Sequence, residues 1–114
     1  MLPWSHQAKN NANRAKFADT GIMLLLEKMS EAGASVNNMV AKLAGGAQMF
    51  TFSGSSDMIR IGQRNVEATK AVLQQLNIPV ISEDTGGNYG RTIEFFSEDG
   101  RLMIKTIGHG IKYI

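Results

Sequence analysis

The sequence has no cysteine among its 114 residues. This absence excludes disulfides, cysteine-based metal sites and a thiol nucleophile within these residues. No apolar run approaches the roughly 20 residues that cross a bilayer, and the apolar region of a signal peptide does not follow Met1. We therefore expect a cytoplasmic protein that does not insert into a membrane.

Acidic side chains are missing from residues 1–18, which carry Lys9, Arg14 and Lys16. A basic segment that binds RNA usually has aromatic side chains between its charges, and here Trp4 stands among asparagines and alanines. The formal net charge of +2 is also too small to indicate a nucleic-acid partner. Nucleic-acid binding remains a weaker hypothesis that would require affinity falling steeply with salt. We expect no nucleic-acid partner and interpret the segment as solvent-exposed chain that precedes the first helix.

What the sequence does contain is a 43% apolar composition, enough for the core of one small domain. Helical spacing predicts a first helix that begins near Phe17, ends before Gly33 and packs through Phe17, Gly21, Leu24, Leu25, Met29 and Ala32. A second helix is predicted from Gly62 to Leu76, where Pro79 soon stops it. Its packing face comprises Val66, Thr69, Val72, Leu73 and Leu76.

The remaining apolar segments favour strands. Residues 36–52 alternate and are interrupted by Gly45-Gly46, as a bulge or a close backbone approach would be. Residues 78–82, 91–96 and 101–107 follow, and Asp99-Gly100 between the last two is a hairpin signal. The tail 108–114 is either an edge strand or frayed. The predicted fold class is α/β (mixed α+β), with helices packed on a mixed sheet.

The stretch "EDTGGNYGRTIEF", residues 83–95, has the glycine content of a phosphate-binding loop. Such a loop needs a helix N-terminus after it, with a lysine and a hydroxyl residue. A strand is predicted there instead, so the glycines are expected to supply positive φ angles in a turn. Arg91 is then expected to be solvated or salt-bridged, and no cofactor is expected.

Several motifs taken together resemble one protein family. They are "MLP" at 1–3, "FADTGIMLLLEKM" at 17–29, "AKLAGGAQMF" at 41–50, "IGQRN" at 61–65 and "DTGGNYGR" at 84–91. In this order and spacing they resemble the CheD family of chemoreceptor glutamine deamidases, from Met1 to about Lys105.

The resemblance implies a bacterial or archaeal chemotaxis protein. Proteins of this family hydrolyse the side-chain amide of selected glutamines on methyl-accepting chemoreceptors, giving glutamate and ammonia. In some species they also bind the phosphatase CheC. The implied fold is an α/β sandwich, and the implied chemistry uses a Cys nucleophile, a His base and a third polar residue, without metal or cofactor.

The sequence departs from the family pattern at the catalytic residues. The family's Cys lies in a Gly-Ser-Cys turn and its His just before Met-Leu-Pro, so both would lie upstream of Met1. We therefore expect residues 1–114 to form a single CheD-like domain, N-terminally truncated relative to the family, that lacks the family's N-terminal strands and catalytic residues. The residues that might replace them, namely His6, His109, Ser5, Ser53, Ser55 and Ser56, do not lie in a recognisable nucleophile turn with a base beside it.

The positions that carry the family motifs are candidates for a structural role or for the substrate-facing surface. They are Gly45, Gly46, Gly62, Arg64, Asn65, Asp84, Gly86, Gly87, Gly90 and Arg91. For the glycine pair and for the 84–91 turn, the simpler alternative is packing or turning without substrate contact.

Two functions remain open at this point. One is the deamidase with its catalytic segment upstream; the other is a non-catalytic binding module that docks on chemoreceptors or on a CheC-type phosphatase. In both cases the lost strands would leave a sheet edge uncovered, so we expect these residues alone to be marginally stable or to self-associate.

Overall fold

A computed structural model describes residues 1–10, 12–48 and 60–114. The elements are α1 (Ala18–Glu31), β1 (Ala41–Gly45), α2 (Ile61–Gln75), β2 (Val80–Thr85), β3 (Thr92–Phe95), β4 (Leu102–Thr106) and β5 (Gly110–Tyr113). Short 3₁₀ helices occupy Ser5–Gln7, Arg14–Lys16 and Val36–Asn38. Within these described residues the predicted order of helices and strands is confirmed, and the tail forms the edge strand β5.

Both helices end in the same way, by a residue in the left-handed region. Gly33 (φ 101) follows α1, where its N–H donates to Ser30 O (3.0 Å) and the next N–H, of Ala34, donates to Met29 O (3.0 Å). These two hydrogen bonds satisfy two of the carbonyls that a helix end leaves unpaired. After α2 the same position is taken by Asn77 (φ 58), a residue that tolerates this conformation better than most.

The buried face of α1 is displaced by one residue from the predicted one. Leu26 is buried, whereas Leu25 and Met29 are exposed. The cause lies in the continuous apolar run from Ile22 to Leu26, in which more than one helical face fits the spacing. For α2 the predicted face is confirmed, since Val72 and Leu73 are buried and the other three residues are half-buried.

The strands form two separate sheets, and the mixed α/β class is confirmed. The strands β1 and β2 pair in parallel, and β3, β4 and β5 form an antiparallel sheet in that order. Leu26 of α1, Leu73 of α2 and Ile78 form a core cluster against which both β1 and β2 pack. The parallel pair and the helices therefore make one apolar layer, and the antiparallel sheet lies beside it.

Candidate functional site

The predicted close approach at Gly45-Gly46 occurs between the end of β1 and the start of α2. A Cβ on Gly46 would collide with the Val66 side chain, and a Cβ on Gly62 would meet Gly46 O and lie 2.6 Å from Ala47 O. Gly46 also has a φ of 69°. Only glycines fit these two positions, so this contact fixes where α2 begins relative to the sheet.

The 84–91 turn is bound to the end of β1. Gly86 N donates to Gly45 O (2.9 Å), and Gln48 N donates to Gly87 O (2.9 Å). Gly86 and Gly87 have φ angles of 85° and 73°, as predicted for a turn. Because β3 rather than a helix follows, the segment lacks the helix N-terminus of a phosphate loop.

Arg91 is salt-bridged, one of the two environments predicted for it. Its Nε donates to Asp84 Oδ2 (2.9 Å) and its Nη1 to Gly45 O (3.3 Å). Only 3% of the Arg91 side chain and 12% of the Asp84 side chain are exposed. The guanidinium carbon lies 4.7 Å above the Tyr89 ring, which stacks on His109 at 4.3 Å. Arg91 thus holds the turn against both β1 and the β4–β5 connection.

Asp84 also accepts a hydrogen bond from Lys112 of β5, at 2.8 Å. This bond from Lys112, and then the one from Arg91, lowers the pKa of Asp84 below its usual range, although burial raises it. The carboxylate is therefore ionised at neutral pH and links β2 to the antiparallel sheet.

A second polar link joins the two sheets at β1. The Lys42 ammonium donates to Gly100 O (2.6 Å) and to Ile114 O (2.7 Å). An apolar groove of about 720 Å³ lies between the parallel pair and the antiparallel sheet. Large apolar side chains from both sheets line it while remaining more than half exposed: Ile81 (55%), Ile93 (54%) and Phe95 (64%).

The first residues of the chain reach the wall of this groove. Leu2 pairs with Phe17 as a parallel bridge: its N–H donates to Lys16 O (2.7 Å) and its carbonyl accepts from Ala18 N (2.8 Å). The Met1 carbonyl accepts a hydrogen bond from Asn65 Nδ2 (2.8 Å). Met1 and Asn65 both line the groove.

Ser5 and His6 do not form a nucleophile–base pair. Ser5 Oγ donates directly to Asp19 Oδ2 (2.7 Å), and Ser5 N donates to Asp19 Oδ1 (3.0 Å). Burial raises the pKa of Asp19, but these bonds, together with backbone hydrogen bonds from Thr20 and Asp19 itself, outweigh it, so the pKa is lowered. His6 is exposed beside Trp4, with ring centroids 6.0 Å apart. Ser53, Ser55 and Ser56 lie outside the described residues.

Most of the motif positions come together at one edge of the parallel pair. Because β1 and β2 are parallel, their carboxyl ends meet there, which gathers Gly45, Gly46, Asp84, Gly86, Gly87 and Arg91. Gly90 lines a smaller pocket on the same turn. The Gly46–Gly62 contact brings Asn65 close, and Arg64 is exposed on the first turns of α2.

Sequence reasoning missed the lysines and the aromatic stack that complete this arrangement. Lys42 carried a signal, since it is a charged residue inside the alternating apolar segment of β1. Lys112, Tyr89 and His109 carried none, because their contacts depend on how the antiparallel sheet lies against the parallel pair.

Among the described residues, no three His, Asp or Glu side chains come together as a metal site would require. Within the same residues, neither helix is long and apolar enough to span a membrane.

Comparison with known proteins places these motifs in one group. A family model described as "CheD chemotactic sensory transduction" matches residues 1–106. The "Probable chemoreceptor glutamine deamidase CheD" of Caldanaerobacter subterraneus subsp. tengcongensis is 61% identical over 114 residues, which are 100% of this chain and 70% of that protein. The protein of the same description from Syntrophomonas wolfei is 57% identical, with 100% and 71% covered. The "Chemoreceptor glutamine deamidase CheD" of Halalkalibacterium halodurans is 54% identical over 115 residues, with the same coverage.

Proposed function

This chain belongs to the CheD family, and from that premise we propose that it forms the larger part of a protein-glutamine deamidase that acts on chemoreceptors. The observation that carries the proposal is identity of up to 61% along all 114 residues with proteins described as chemoreceptor glutamine deamidases. The substrate is then a glutamine side chain of a methyl-accepting chemoreceptor. A cytoplasmic location is part of the same proposal.

The nucleophile of this reaction comes from polypeptide outside these residues, because the 114 residues contain no cysteine. The curated relatives support this proposal, since the chain spans only about 70% of their length. We place the Cys and the base His upstream of Met1, with the His just before it. The residues described here would then be the scaffold of a longer single domain.

The proposed chemistry balances without metal or cofactor. The thiolate sulfur bonds to the carboxamide carbon, the C–N bond breaks, and the His delivers a proton to the leaving ammonia. Water then hydrolyses the thioester, which gives the glutamate and restores the thiol. The role of the described residues is to hold the catalytic segment and to present the receptor-facing surface around the 84–91 turn. Arg91 supports this role because it bonds both Asp84 within the turn and the Gly45 carbonyl at the end of β1.

The test begins with the natural protein purified from its source and its intact mass. A mass several kilodaltons above 12.4 kDa, with ammonia release from a glutamine-bearing receptor that is abolished by thiol alkylation, is the expected result. The matched control is the 114-residue chain alone, which should release none. A longer protein with a cysteine but without glutamine conversion on any receptor tested would count against the proposal.

The non-catalytic binding module is not favoured by any observation on the described residues. It becomes an outcome of the same test, in which a natural protein of 12.4 kDa binds a receptor and releases no ammonia. Association with a CheC-type phosphatase stays a prediction, and titration calorimetry with the two purified proteins tests it.

A further inference from the structure

The backbone of Met1 and Leu2 is held from two sides. The backbone groups of Leu2 bond to the chain that leads into α1, on either side of Phe17. On the opposite side the Met1 carbonyl bonds to Asn65, a residue 64 positions away in sequence. Hydrogen bonds hold two consecutive peptide groups of this segment, so its backbone has little conformational freedom. The direction in which a preceding segment would enter Met1 is therefore defined.

Asn65 is an unfavourable choice for this position if only helix stability is considered. Asparagine is a poor residue within a helix, because its side chain competes for backbone hydrogen bonds. Its Oδ1 is also enclosed without a hydrogen-bond partner among the described residues. A buried acceptor without a donor is destabilising, and such exceptions are typical of sites selected for function.

The surroundings of Asn65 favour a well-defined orientation. Gly46 and Gly62 fix the first turns of α2 against the end of β1, so the Asn65 backbone cannot shift easily. The groove that Asn65 lines is apolar, and its hydrogen bond to the Met1 carbonyl lies at the exposed rim of that groove. A side-chain amide held in this way can set the position of the peptide group it binds.

We propose that Asn65 is a positioning residue of the deamidase, whose side-chain amide fixes the Met1 carbonyl and thereby the short segment that leads into Met1 in the complete enzyme. This inference rests on the proposed function, which places the base His there. Asn65 does not touch the reacting atoms; it acts through the peptide backbone. In the complete enzyme its Oδ1 accepts a hydrogen bond from the segment that precedes Met1.

The test uses the full-length enzyme with Asn65→Ala and Asn65→Asp, and Gln63→Ala as the matched control. Gln63 also carries a side-chain amide on α2, but it is exposed and bonds Glu67 (3.0 Å) on the same helix. Loss of the donor should lower kcat for ammonia release about 10- to 100-fold, with KM within about twofold, because misplacement of a catalytic group by about 1 Å has effects of this size. Asn65→Asp should be at least as impaired, since it turns an acceptor towards the Met1 carbonyl.

A purely structural role would give a different pattern. It would lower the melting temperature and the amount of active enzyme, and the residual kcat per titrated thiol would match the wild type. That result, or a kcat in Asn65→Ala equal to that of Gln63→Ala, would overturn the inference. Asn65→Gln retains the amide donor and should recover part of the lost kcat.

A second measurement separates failure of this inference from failure of the proposed function. Amide hydrogen exchange on the same variants should show faster exchange at Leu2 in Asn65→Ala and unchanged protection in the second half of α2. If the wild-type enzyme is active and Asn65→Ala is unimpaired, only the positioning role is wrong. If the wild-type enzyme releases no ammonia, the deamidase function is wrong and the role assigned to Asn65 is wrong with it, whatever the exchange shows.

Discussion

The layer made of α1, α2, β1 and β2 packs around Leu26, Leu73 and Ile78. The antiparallel sheet buries side chains of its central strand β4, whereas every residue of its outer strands β3 and β5 is exposed. The first region is stabilised by apolar burial and by the Gly46–Gly62 contact. Polar links formed by Lys42 and Asp84 attach the second region to the first. The two regions leave an apolar groove between them, so the comparison separates the residues that maintain the fold from those that set the shape of the groove.

The largest expected loss of stability results from Gly62→Ala in the packed layer. The added methyl group would meet Gly46 O and lie 2.6 Å from Ala47 O, both of them backbone atoms that cannot move independently. We expect the free energy of unfolding to fall by about 3 kcal/mol in urea denaturation.

Gly21→Ala in α1 is the control, because its Cβ would find nothing closer than Arg14 O at 3.6 Å. Helix propensity then dominates, and the free energy of unfolding should rise by up to about 1 kcal/mol. Equal effects at the two glycines would contradict the view that the Gly46–Gly62 contact determines the layer.

The next largest loss of stability is expected from Arg91→Met, which breaks the link between the two regions. This change keeps the unbranched stem of the side chain and removes the guanidinium that Asp84 faces in a nearly buried site. Lys112 still neutralises Asp84, so we expect a loss of about 2 kcal/mol, less than for a buried charge left alone. Arg101→Met, at an ion pair about half exposed to solvent, should cost less. A larger loss in Arg101→Met would show that the Arg91–Asp84 link contributes little.

Acid pH should weaken the same link. The pKa of Asp84 is lowered from 3.8 by Lys112 and Arg91, so the folded state binds its proton less tightly than the unfolded state does. Its stabilisation is complete above pH 3.8 and is lost as the pH falls through the lower folded value. Asp84→Asn should therefore be less stable than the wild type at neutral pH, and the difference should shrink towards pH 3. Chemical denaturation at the two pH values measures it; a constant difference would contradict the assignment.

The sequence predicted the helices of the packed layer well because their signals are local. The strand predicted within 36–52 was too long among the described residues, since β1 covers Ala41–Gly45 and Val36–Asn38 is a 3₁₀ helix. Helical spacing, Gly33 and Pro79 placed the bounds of α1 and α2 within one or two residues. The buried face of α1 was wrong by one residue because the apolar run there fits more than one helical face. Of the two interpretations of the Gly45-Gly46 interruption, a bulge or a close approach, the structure has the close approach; its partner Gly62 could be identified only from the fold.

The arrangement of the site was less accessible, because its contacts join residues far apart in sequence. The pairing of Lys112 with Asp84, and of Lys42 with the Gly100 and Ile114 carbonyls, depends on how one sheet lies against the other. No local pattern determines that geometry. The separation of the strands into two sheets has the same origin, since pairing between strands is not local.

The smallest effect on stability, and the sharpest test of the groove, is expected from Phe95→Glu in the 114-residue chain. Phe95 is 64% exposed and lines the groove, so its loss should change the free energy of unfolding by less than about 0.5 kcal/mol. The same change places a charge where an apolar face and the edge of β3 would meet a second chain. We therefore expect sedimentation to show self-association of the wild type and a monomer for Phe95→Glu.

Ile107→Glu is the control, because Ile107 is 97% exposed and does not line the groove. If Ile107→Glu also gives monomers, association depends on general surface hydrophobicity; if the wild type is itself a stable monomer, the uncovered groove does not drive association.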